Sequence, residues 1–228
     1  MYKYAVIVAG GTGKRMGNIE PKQFLLLKQK PLLWYTLDTF FRAYNDIKII
    51  LVLPKQHIEK GKTIAENFFK NTEIKIVTGG DTRFHSVQSG LSEVKNKSVV
   101  FVHDAVRCLV SVPLIQRCYK QTLEKGSAVP AVAATDSIRI LNDTHHIVAN
   151  RQQVRIIQTP QTFLSEIILP AFTQAYNEAF TDEATVVEAF GTKVFLTEGE
   201  YENIKITRPV DMMIAERILE ERLTLKQS

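Results

Sequence analysis

Glycines and fixed positive charges follow directly after the first apolar run of the chain. Residues 5–9 are apolar, and the sequence then reads Gly10-Gly11-Thr12-Gly13-Lys14-Arg15, with Lys22 close behind. At the end of a strand, glycines let backbone N–H groups approach a ligand, and cations at such a site neutralise phosphate oxygens. The stretch therefore predicts a site for a nucleotide triphosphate.

Two common phosphate loops do not fit these residues. The dinucleotide fingerprint requires its third glycine where Met16 stands, and the Walker A loop requires glycine at Val8 and Ser or Thr at Arg15. A strand-to-helix turn that needs glycine only for its backbone angles is the alternative interpretation. The three cations Lys14, Arg15 and Lys22 argue against that alternative, because a plain turn has no use for them.

A carboxylate follows a later apolar run. Residues 98–102 read as a buried strand, and His103 and Asp104 come next. An aspartate at the end of a strand, beside a cationic loop, can hold a hard divalent cation between phosphate oxygens. Asp104 is therefore the candidate metal ligand, and a turn or helix cap is its alternative role. His103 is more typical of a packed or hydrogen-bonded histidine than of a ligand.

An alternation of strands and helices must position these residues. Helical periodicity occurs over residues 31–44, 56–69, 84–94 and 114–123, and apolar strand-like runs cover residues 5–9, 47–53, 73–77, 98–102 and 128–134. This order predicts a parallel sheet with right-handed crossovers and with ligands at the carboxyl ends of its strands. The second glycine break, at residues 79–83, falls at that edge.

The periodicity changes after residue 134. Residues 136–141 and 147–151 alternate like the strands of a ribbon around a turn at 142–143. Because an isolated hairpin is marginal in water, we expect it to lie against another surface, such as a second subunit. Further on, we predict a helix over 164–179, a helix capped by Thr181, short strands over 193–196 and 203–206, and a final helix from Arg208.

Composition limits the possible functions. With 228 residues and 45% hydrophobic content, the chain can form one α/β domain. Its net charge of +5 is spread along the chain, which favours phosphorylated small molecules as ligands over nucleic acid.

The cysteines and the apolar start of the chain bear on its location. Cys108 and Cys118 are too few for a disulfide framework and suit a reduced cytoplasm. The apolar start is far too short for a membrane span, so we expect neither secretion nor membrane insertion.

The motifs, in their order and spacing, resemble one enzyme family over nearly the whole chain. The family is that of the 2-C-methyl-D-erythritol 4-phosphate cytidylyltransferases. The residues that carry the resemblance are Ala9-Gly-Gly-Thr-Gly-Lys-Arg-Met16, Pro21-Lys-Gln-Phe24, Gly79-Gly-Asp-Thr-Arg83, His103-Asp-Ala-Val-Arg107, Gln158-Thr-Pro-Gln161, Thr181-Asp-Glu-Ala184 and Asn203-Ile-Lys-Ile-Thr207. Each motif alone is weak, whereas the combination is highly specific.

The resemblance implies a fold and a reaction. The fold would be a single nucleotidyltransferase domain over residues 1–228, with a Rossmann-like, mostly parallel sheet flanked by helices, of the nucleotide-diphospho-sugar transferase type. A protruding β-arm at about residues 136–155 would form a homodimer. The enzyme would transfer CMP from CTP to methylerythritol phosphate and release pyrophosphate in isoprenoid precursor biosynthesis. It would use Mg²⁺ or another divalent ion, with no nucleic-acid or membrane partner.

The resemblance also assigns roles to residues of this chain. Catalysis would involve Arg15, Lys22 and Lys205, and Asp104 would hold the metal. Residues that match the CTP-binding positions are Ala9, Gly10, Gly11, Gly13, Lys14, Gly80, Asp81 and Ser86. Residues that match the acceptor-binding positions are Arg107, Ser137, Arg151 and Thr181, and we expect Ser137 and Arg151 to reach across from a second chain.

Some residues depart from the family pattern and leave alternatives open. Gly10 replaces a common alanine, Cys108 a usual proline and Ser137 a usual threonine. A double glycine as at Gly10 is more frequent in ribitol-5-phosphate cytidylyltransferases, which share most of these motifs. The sequence at 151–154, an arginine with an apolar residue three positions later, favours methylerythritol phosphate. A non-catalytic nucleotide-binding module on the same fold is a third interpretation.

Overall fold

A computed structural model describes residues 1–10, 20–69 and 72–224 of the chain. Nineteen strands and α-helices follow one another within these ranges, and most of them alternate. In chain order they are β1 (Tyr2–Val8), β2 (Leu26–Leu27), β3 (Lys30–Pro31), α1 (Leu32–Ala43), β4 (Lys48–Leu53), α2 (Ile58–Phe68), β5 (Ile74–Thr78), α3 (Arg83–Leu91), β6 (Ser98–Asp104), α4 (Val112–Lys125), β7 (Ser127–Ala133), β8 (Arg139–Leu141), β9 (His146–Val148), β10 (Arg155–Ile157), β11 (Gln161–Leu164), α5 (Ser165–Ala171), α6 (Glu183–Ala189), β12 (Leu196–Glu198) and α7 (Pro209–Thr224).

One eight-stranded sheet organises the protein. Its strands run in the order β7-β11-β6-β1-β4-β5, and both β10 and β12 pair with β7. The pairs β1–β6, β1–β4, β4–β5 and β7–β12 are parallel, whereas β10 and β11 run antiparallel to their neighbours. The predicted α/β fold with a mostly parallel sheet is therefore confirmed.

Helices bury both faces of the central strands. Ile7 and Leu51 point to the face covered by α1, α2 and α4, while Val6 and Val52 point to the face covered by α3, α5 and α6. Side chains on both sets are fully buried. This explains why the central strands appear in the sequence as continuous apolar runs rather than as alternating ones.

The register of the central strands brings the predicted site segments to one edge. Val8 ends β1 and lies opposite both Val52 of β4 and Asp104, the last residue of β6. Because β5 runs parallel to β4, the turn at 79–80 follows at the same edge. Gly10, the turn at 79–80 and Asp104 therefore come together at the carboxyl ends of the strands, as predicted.

A two-stranded ribbon, formed by β8 and β9, leaves the sheet between β7 and β10. Ile140 lies opposite Ile147 within it, and at its base Ala133 pairs with Arg155. Ile140 is 50% exposed and Leu141 is 77% exposed. The predicted hairpin is confirmed, with strands shorter than those predicted. Within the described residues, no helix is long and apolar enough to cross a membrane.

Two predictions for the later part of the chain are wrong in extent or type. The helix predicted over 164–179 ends at Ala171, one residue after Pro170, which has no N–H group to donate. Residues 203–206 form no strand in the described structure. Ile206 is instead buried in a small apolar cluster with α7, and one backbone bond ties it to Val106. Burial of alternate residues therefore produced a strand-like pattern without a strand.

Three more features of this region differ from the sequence interpretation. The strand predicted over 193–196 is instead β12 at Leu196–Glu198, which shares only Leu196 with the prediction. Strands β10 and β11 cover residues for which no strand was predicted. Thr181 does not cap α6, because Asp182 occupies the cap position: its side chain accepts from the N–H of Thr185, and the Thr185 hydroxyl group is bonded to the backbone of Asp182. The cap therefore lies one residue later than predicted.

Gly90 lies on α3 where the helix touches the sheet, and this contact gives a test of the packing. A Cβ at this position would lie 2.5 Å from Val6 Cγ1 and 2.9 Å from Val52 Cγ2. Overpacking costs about 1–3 kcal/mol, which exceeds the gain of about 1 kcal/mol from alanine's helix propensity. We expect Gly90→Ala to lower the free energy of unfolding in urea by a net of about 1 kcal/mol.

The matched control for this variant is Ser89→Ala, one residue earlier on α3. The Ser89 hydroxyl group donates to the backbone carbonyl of His85 within the same helix. We expect this control to change the free energy of unfolding by less than about 0.5 kcal/mol. Wild-type stability in Gly90→Ala would contradict the close contact between α3 and the sheet.

Candidate active site

A cavity of about 390 Å³ opens at the carboxyl ends of the central strands. It is formed by the end of β1, the turn after β5, the start of α3, the end of β6 and the segment before α7. The lining residues are Val8, Ala9, Gly10, Lys22, Gln23, Gly80, Asp81, Thr82, Arg83, Ser86, Asp104, Val106, Lys205 and Thr207. Glycines, cations and two carboxylates thus share one space.

A wider cleft of about 950 Å³ lies beside β12. Its two arginines are already engaged: Arg222 pairs with Glu202, and Arg155 donates to the backbone carbonyls of residues 152 and 154. The smaller cavity is the better candidate for the active site, because its charged groups converge on one point at the sheet edge.

The carboxylate of Asp104 is the point on which these charges converge. Its Oδ1 atom accepts from both Nε and Nη2 of Arg83, each at 3.2 Å. Its Oδ2 atom lies 2.7 Å from Lys205 Nζ and 4.0 Å from Arg107 Nε. Burial alone would raise the pKa of Asp104, but these three cations hold it well below its usual range. Asp104 is therefore an anion at neutral pH.

A second carboxylate holds the other side of Arg83. Both terminal nitrogens of the Arg83 guanidinium group donate to the carboxylate of Glu183, which is only 1% exposed. Burial alone would lower the pKa of Arg83, but the carboxylates of Glu183 and Asp104 hold it above its usual value. Burial raises the pKa of Glu183, and the contacts with Arg83 oppose this rise. Both Glu183 oxygens accept from N–H groups of Arg83, which can only donate, so the geometry assigns the ionised carboxylate. Arg83 thus bridges two buried carboxylates, one structural and one at the cavity.

A neutral histidine lies behind Asp104. The Thr159 hydroxyl oxygen accepts from the backbone N–H of Asp104 at 3.1 Å and lies 3.0 Å from His103 Nδ1. His103 Nε2 lies 3.2 Å from the carbonyl oxygen of Arg107, which can only accept. This assigns the proton to Nε2, with Nδ1 accepting from Thr159. Burial lowers the pKa of His103 to about 3, so the expectation of a packed, hydrogen-bonded histidine is confirmed.

Backbone atoms form the opposite part of the cavity wall. A Cβ on Gly80 would lie 2.5 Å from His85 Cβ, so this close turn requires glycine. The Ser86 hydroxyl group donates to the carbonyl of Gly80 at 3.2 Å, and Gln23 Nε2 donates to the carbonyl of Ala9 at 2.7 Å. These contacts hold two segments of backbone at the cavity, where they can form hydrogen bonds with a flat base.

The donor set limits how a metal could be held. Among the described residues, no group of three or more His, Cys, Asp or Glu side chains could coordinate an ion. Asp104 Oδ2 is one hard oxygen ligand at the cavity. This fits Mg²⁺, which is commonly bound by one or two carboxylates together with substrate phosphates and water.

Known proteins match this chain over almost its whole length. The family model for 2-C-methyl-D-erythritol 4-phosphate cytidylyltransferase matches residues 3–221. The chain belongs to this family. The 2-C-methyl-D-erythritol 4-phosphate cytidylyltransferase of Bacteroides thetaiotaomicron is 41% identical over 219 residues, covering 96% of this chain and all of that one. That of Porphyromonas gingivalis is 41% identical over 218 residues, covering 95% and 97% of the two chains.

Solved structures of the cytidylyltransferase family have the same fold. The crystal structure of 4-diphosphocytidyl-2C-methyl-D-erythritol synthase from Anaerococcus prevotii is 30% identical and gives a TM-score of 0.82, covering 96% of this chain and 98% of that one. The cytidylyltransferase structure from Francisella tularensis gives 0.78 at 30% identity, covering 95% and 99%. The resemblance inferred from the motifs is therefore confirmed.

Eight residues predicted from the cytidylyltransferase motifs line the cavity. They are Ala9, Gly10, Lys22, Gly80, Asp81, Ser86, Asp104 and Lys205. Gly11, Gly13, Lys14 and Arg15 lie outside the described residues. The structure thus brings the glycine turn, the metal candidate and the late lysine together, and the role of each residue stays a prediction.

The four predicted acceptor-binding residues lie outside the cavity lining. Arg107 is mostly buried behind Asp104 and donates to the backbone carbonyls of residues 203 and 157. Thr181 is exposed just before α6, and Ser137 is exposed near the start of the arm. Arg151 donates to the carbonyl of residue 135 at 2.9 Å. The acceptor-binding role of each of these four residues stays a prediction.

Sequence reasoning missed the partners of Asp104. Arg83 belongs to the motif at 79–83 and Glu183 to the motif at 181–184, but neither residue was given a role. Arg83 and Glu183 are one hundred residues apart in the chain. No local sequence pattern marks this pairing, because the burial of Glu183 and its contact with Arg83 are set by the fold.

His103 predicts a specific dependence of stability on pH. Its pKa is about 3 in the folded protein and about 6.5 in an unfolded chain. Between these values the unfolded chain binds more protons, so stability is complete above pH 6.5 and falls as the pH decreases, with a slope approaching about 1.4 kcal/mol per pH unit.

Urea unfolding of His103→Asn at several pH values between 7 and 4.5 tests this expectation. The variant loses hydrogen bonds and is expected to be less stable at pH 7. Its stability should decline less steeply with decreasing pH than that of the wild type, by about 1 kcal/mol per pH unit. Equal slopes for the two proteins would contradict a buried, neutral His103.

Proposed function

We propose that this protein transfers CMP from CTP to 2-C-methyl-D-erythritol 4-phosphate and releases pyrophosphate, a step of isoprenoid precursor biosynthesis. Membership of the cytidylyltransferase family supports this function. The observation that carries it is one cavity that combines the backbone walls at Gly10 and Gly80 with the side chains of Lys22, Lys205 and Asp104. The backbone can bind a base, and the cations can bind phosphates.

The reaction needs positioning and charge neutralisation more than proton transfer. A phosphate oxygen of the acceptor is already ionised at neutral pH and can attack the α-phosphorus directly. A new P–O bond forms as the bond to the β-phosphate oxygen breaks, and pyrophosphate takes the electron pair. Lys22 and Lys205 neutralise the charge that develops on the phosphate oxygens, and Arg15 is expected to assist them.

Asp104 is the residue proposed to hold Mg²⁺, although other divalent ions are possible. When bound, the ion neutralises phosphate charge. Lys205 Nζ lies 2.7 Å from the Asp104 Oδ2 atom that would contact the ion. In this proposal, Lys205 turns from Asp104 to the phosphates as the nucleotide binds, because the triphosphate brings several negative charges into reach of the ammonium group.

The arm supports a homodimer. Both of its faces carry exposed apolar side chains: Ile140 and Ile147 lie opposite each other, while Leu141 and Val148 point the other way. A ribbon of this kind is marginal in water unless another surface covers it. We propose that the arm of a second copy does so and brings Ser137 and Arg151 to the acceptor. We also expect a cytoplasmic enzyme, on the sequence grounds given above.

Pyrophosphate release tests the function directly. With CTP, Mg²⁺ and methylerythritol phosphate, we expect steady turnover, and with ribitol 5-phosphate we expect little. Turnover with ribitol 5-phosphate alone would reverse the choice of acceptor, and no turnover with either would support a non-catalytic nucleotide-binding module.

Lys205→Met tests the proposed contribution of the late lysine in the same assay. Removal of one preorganised donor typically lowers kcat by about 10²–10³, and we expect a loss of this size with the fold intact. Lys97→Met is the matched control, because Lys97 forms only an exposed ion pair with Glu166 within the described residues. Near-wild-type turnover of the Lys205 variant would contradict its catalytic role.

Ile140→Asp tests the arm. A charge in an apolar contact between two copies should weaken association, so gel filtration at low micromolar concentration is expected to show a monomer where the wild type is a dimer. Thr144→Asp, in the turn of the same ribbon, should remain a dimer. A dimeric Ile140 variant would show that another surface mediates association.

A further inference from the structure

Arg83 is placed between two carboxylates and contacts both through different edges of its guanidinium group. Its Nη1 and Nη2 atoms donate to Glu183, while Nε and Nη2 donate to Asp104 Oδ1. A planar guanidinium group with five donors can make both sets of contacts at once, whereas a lysine ammonium group cannot reproduce the geometry. The position of Arg83 is thus determined from two sides.

Glu183 is a fixed anchor for this arrangement. It is the first residue of α6, and the adjacent Asp182 caps the helix through reciprocal bonds with Thr185. Both Glu183 oxygens contact Arg83, and the side chain is 1% exposed. Glu183 does not line the cavity, so any effect it has on the chemistry must act through Arg83.

The two carboxylate oxygens of Asp104 have different environments because Arg83 contacts only one of them. Both Arg83 contacts are with Oδ1, and the backbone N–H of Asp104 is held by Thr159. Only Oδ2 contacts the cavity cation Lys205. Rotation of the carboxylate would break two charge-assisted hydrogen bonds, so Asp104 presents one defined oxygen toward the space where phosphates are proposed to bind.

We propose that Arg83 is a positioning residue, anchored by the buried Glu183, that fixes Asp104 so that Oδ2 alone faces the nucleotide-bound divalent cation. This inference rests on the proposed function. Outer-shell partners of a ligating carboxylate typically change metal affinity or activity by about 10–100-fold when they are replaced. Glu183, although outside the cavity, should therefore affect metal binding.

Because Glu183 is charged, its replacement should affect the binding of the triphosphate and of the metal in opposite directions. Glu183→Gln keeps the shape of the side chain but removes one negative charge from the network. The cavity then becomes more positive, which favours the anionic triphosphate and disfavours a divalent cation. A residue needed only for folding would instead weaken both kinds of binding together.

Two titrations without acceptor separate these outcomes. Calorimetry with CTP and EDTA measures binding of the metal-free nucleotide, and electron paramagnetic resonance of Mn²⁺ at saturating CTP measures the metal. For Glu183→Gln we expect CTP affinity equal to or slightly above that of the wild type, and Mn²⁺ affinity lower by about tenfold or more. In the turnover assay, kcat should fall by about 10–100-fold while KM for CTP changes much less.

A double variant distinguishes positioning from charge alone. Arg83→Gln with Glu183→Gln removes one charge of each sign and restores the wild-type net charge. Because Arg83 itself lines the cavity, only the metal titration is informative for this variant. We expect Mn²⁺ affinity to stay low, because nothing then fixes Asp104 Oδ1. Recovery of Mn²⁺ affinity in the double variant would overturn the positioning role.

Asp182→Ala is the matched control at the same helix end. It removes the cap of α6 and the hydrogen bond from Gln161 but no contact of Arg83, and the partly exposed charge of Asp182 is screened by solvent. We therefore expect Tm to fall by about 2–4 °C with both affinities unchanged. All titrations are run well below the lowest Tm, so that every variant is folded. Parallel loss of CTP and Mn²⁺ affinity in Glu183→Gln, or wild-type Mn²⁺ affinity, would overturn the inference. Failure of the wild type to bind CTP would instead overturn the proposed function.

Discussion

The negative charge of Asp104, buried at the end of the central strand β6, is the constraint on which the arrangement of the site depends. Taking an unpaired carboxylate out of water costs several kcal/mol, so its neutralisation has to be built into the fold. Arg83 at the start of α3, Arg107 after β6 and Lys205 before α7 supply the positive charge. One ion cluster therefore connects the sheet, a helix on one face and the C-terminal segment.

This connection explains why the two arginines around Asp104 are fixed in place, whereas Lys205 can leave Asp104 for another anion. Arg83 is held by a second buried carboxylate, and Arg107 is bonded to two backbone carbonyls. Lys205 is 42% exposed at its side chain and makes a single short contact with Asp104. An incoming anion can attract Lys205 at little cost, whereas displacement of either arginine would leave a buried charge without its partner.

The parts of the site that could be predicted from sequence are those set by local patterns. Apolar runs that end in glycine or aspartate define strand ends, and the rules of parallel sheets bring such ends to one edge. The cavity lining at Gly10, Gly80 and Asp104 follows from this. The pairing of Arg83 with Glu183 could not be predicted in this way, because it joins segments that are one hundred residues apart in the chain. Similarly, Ile204 and Ile206 alternate with polar residues because both isoleucines pack near α7. In the sequence, this alternation looks the same as the alternation of a half-buried strand.

The position of the arm in the chain has a consequence for how this enzyme could change over evolutionary time. The arm leaves the sheet after Ala133 and returns at Arg155, and these two residues are paired neighbours in adjacent strands. A short turn could close the same gap and leave the register of the sheet intact. Insertions, deletions and substitutions in the arm can thus occur without moving the strands that carry the nucleotide cavity. The roles proposed for the arm, in acceptor binding and subunit association, could therefore diverge among descendants while the nucleotide cavity stays the same.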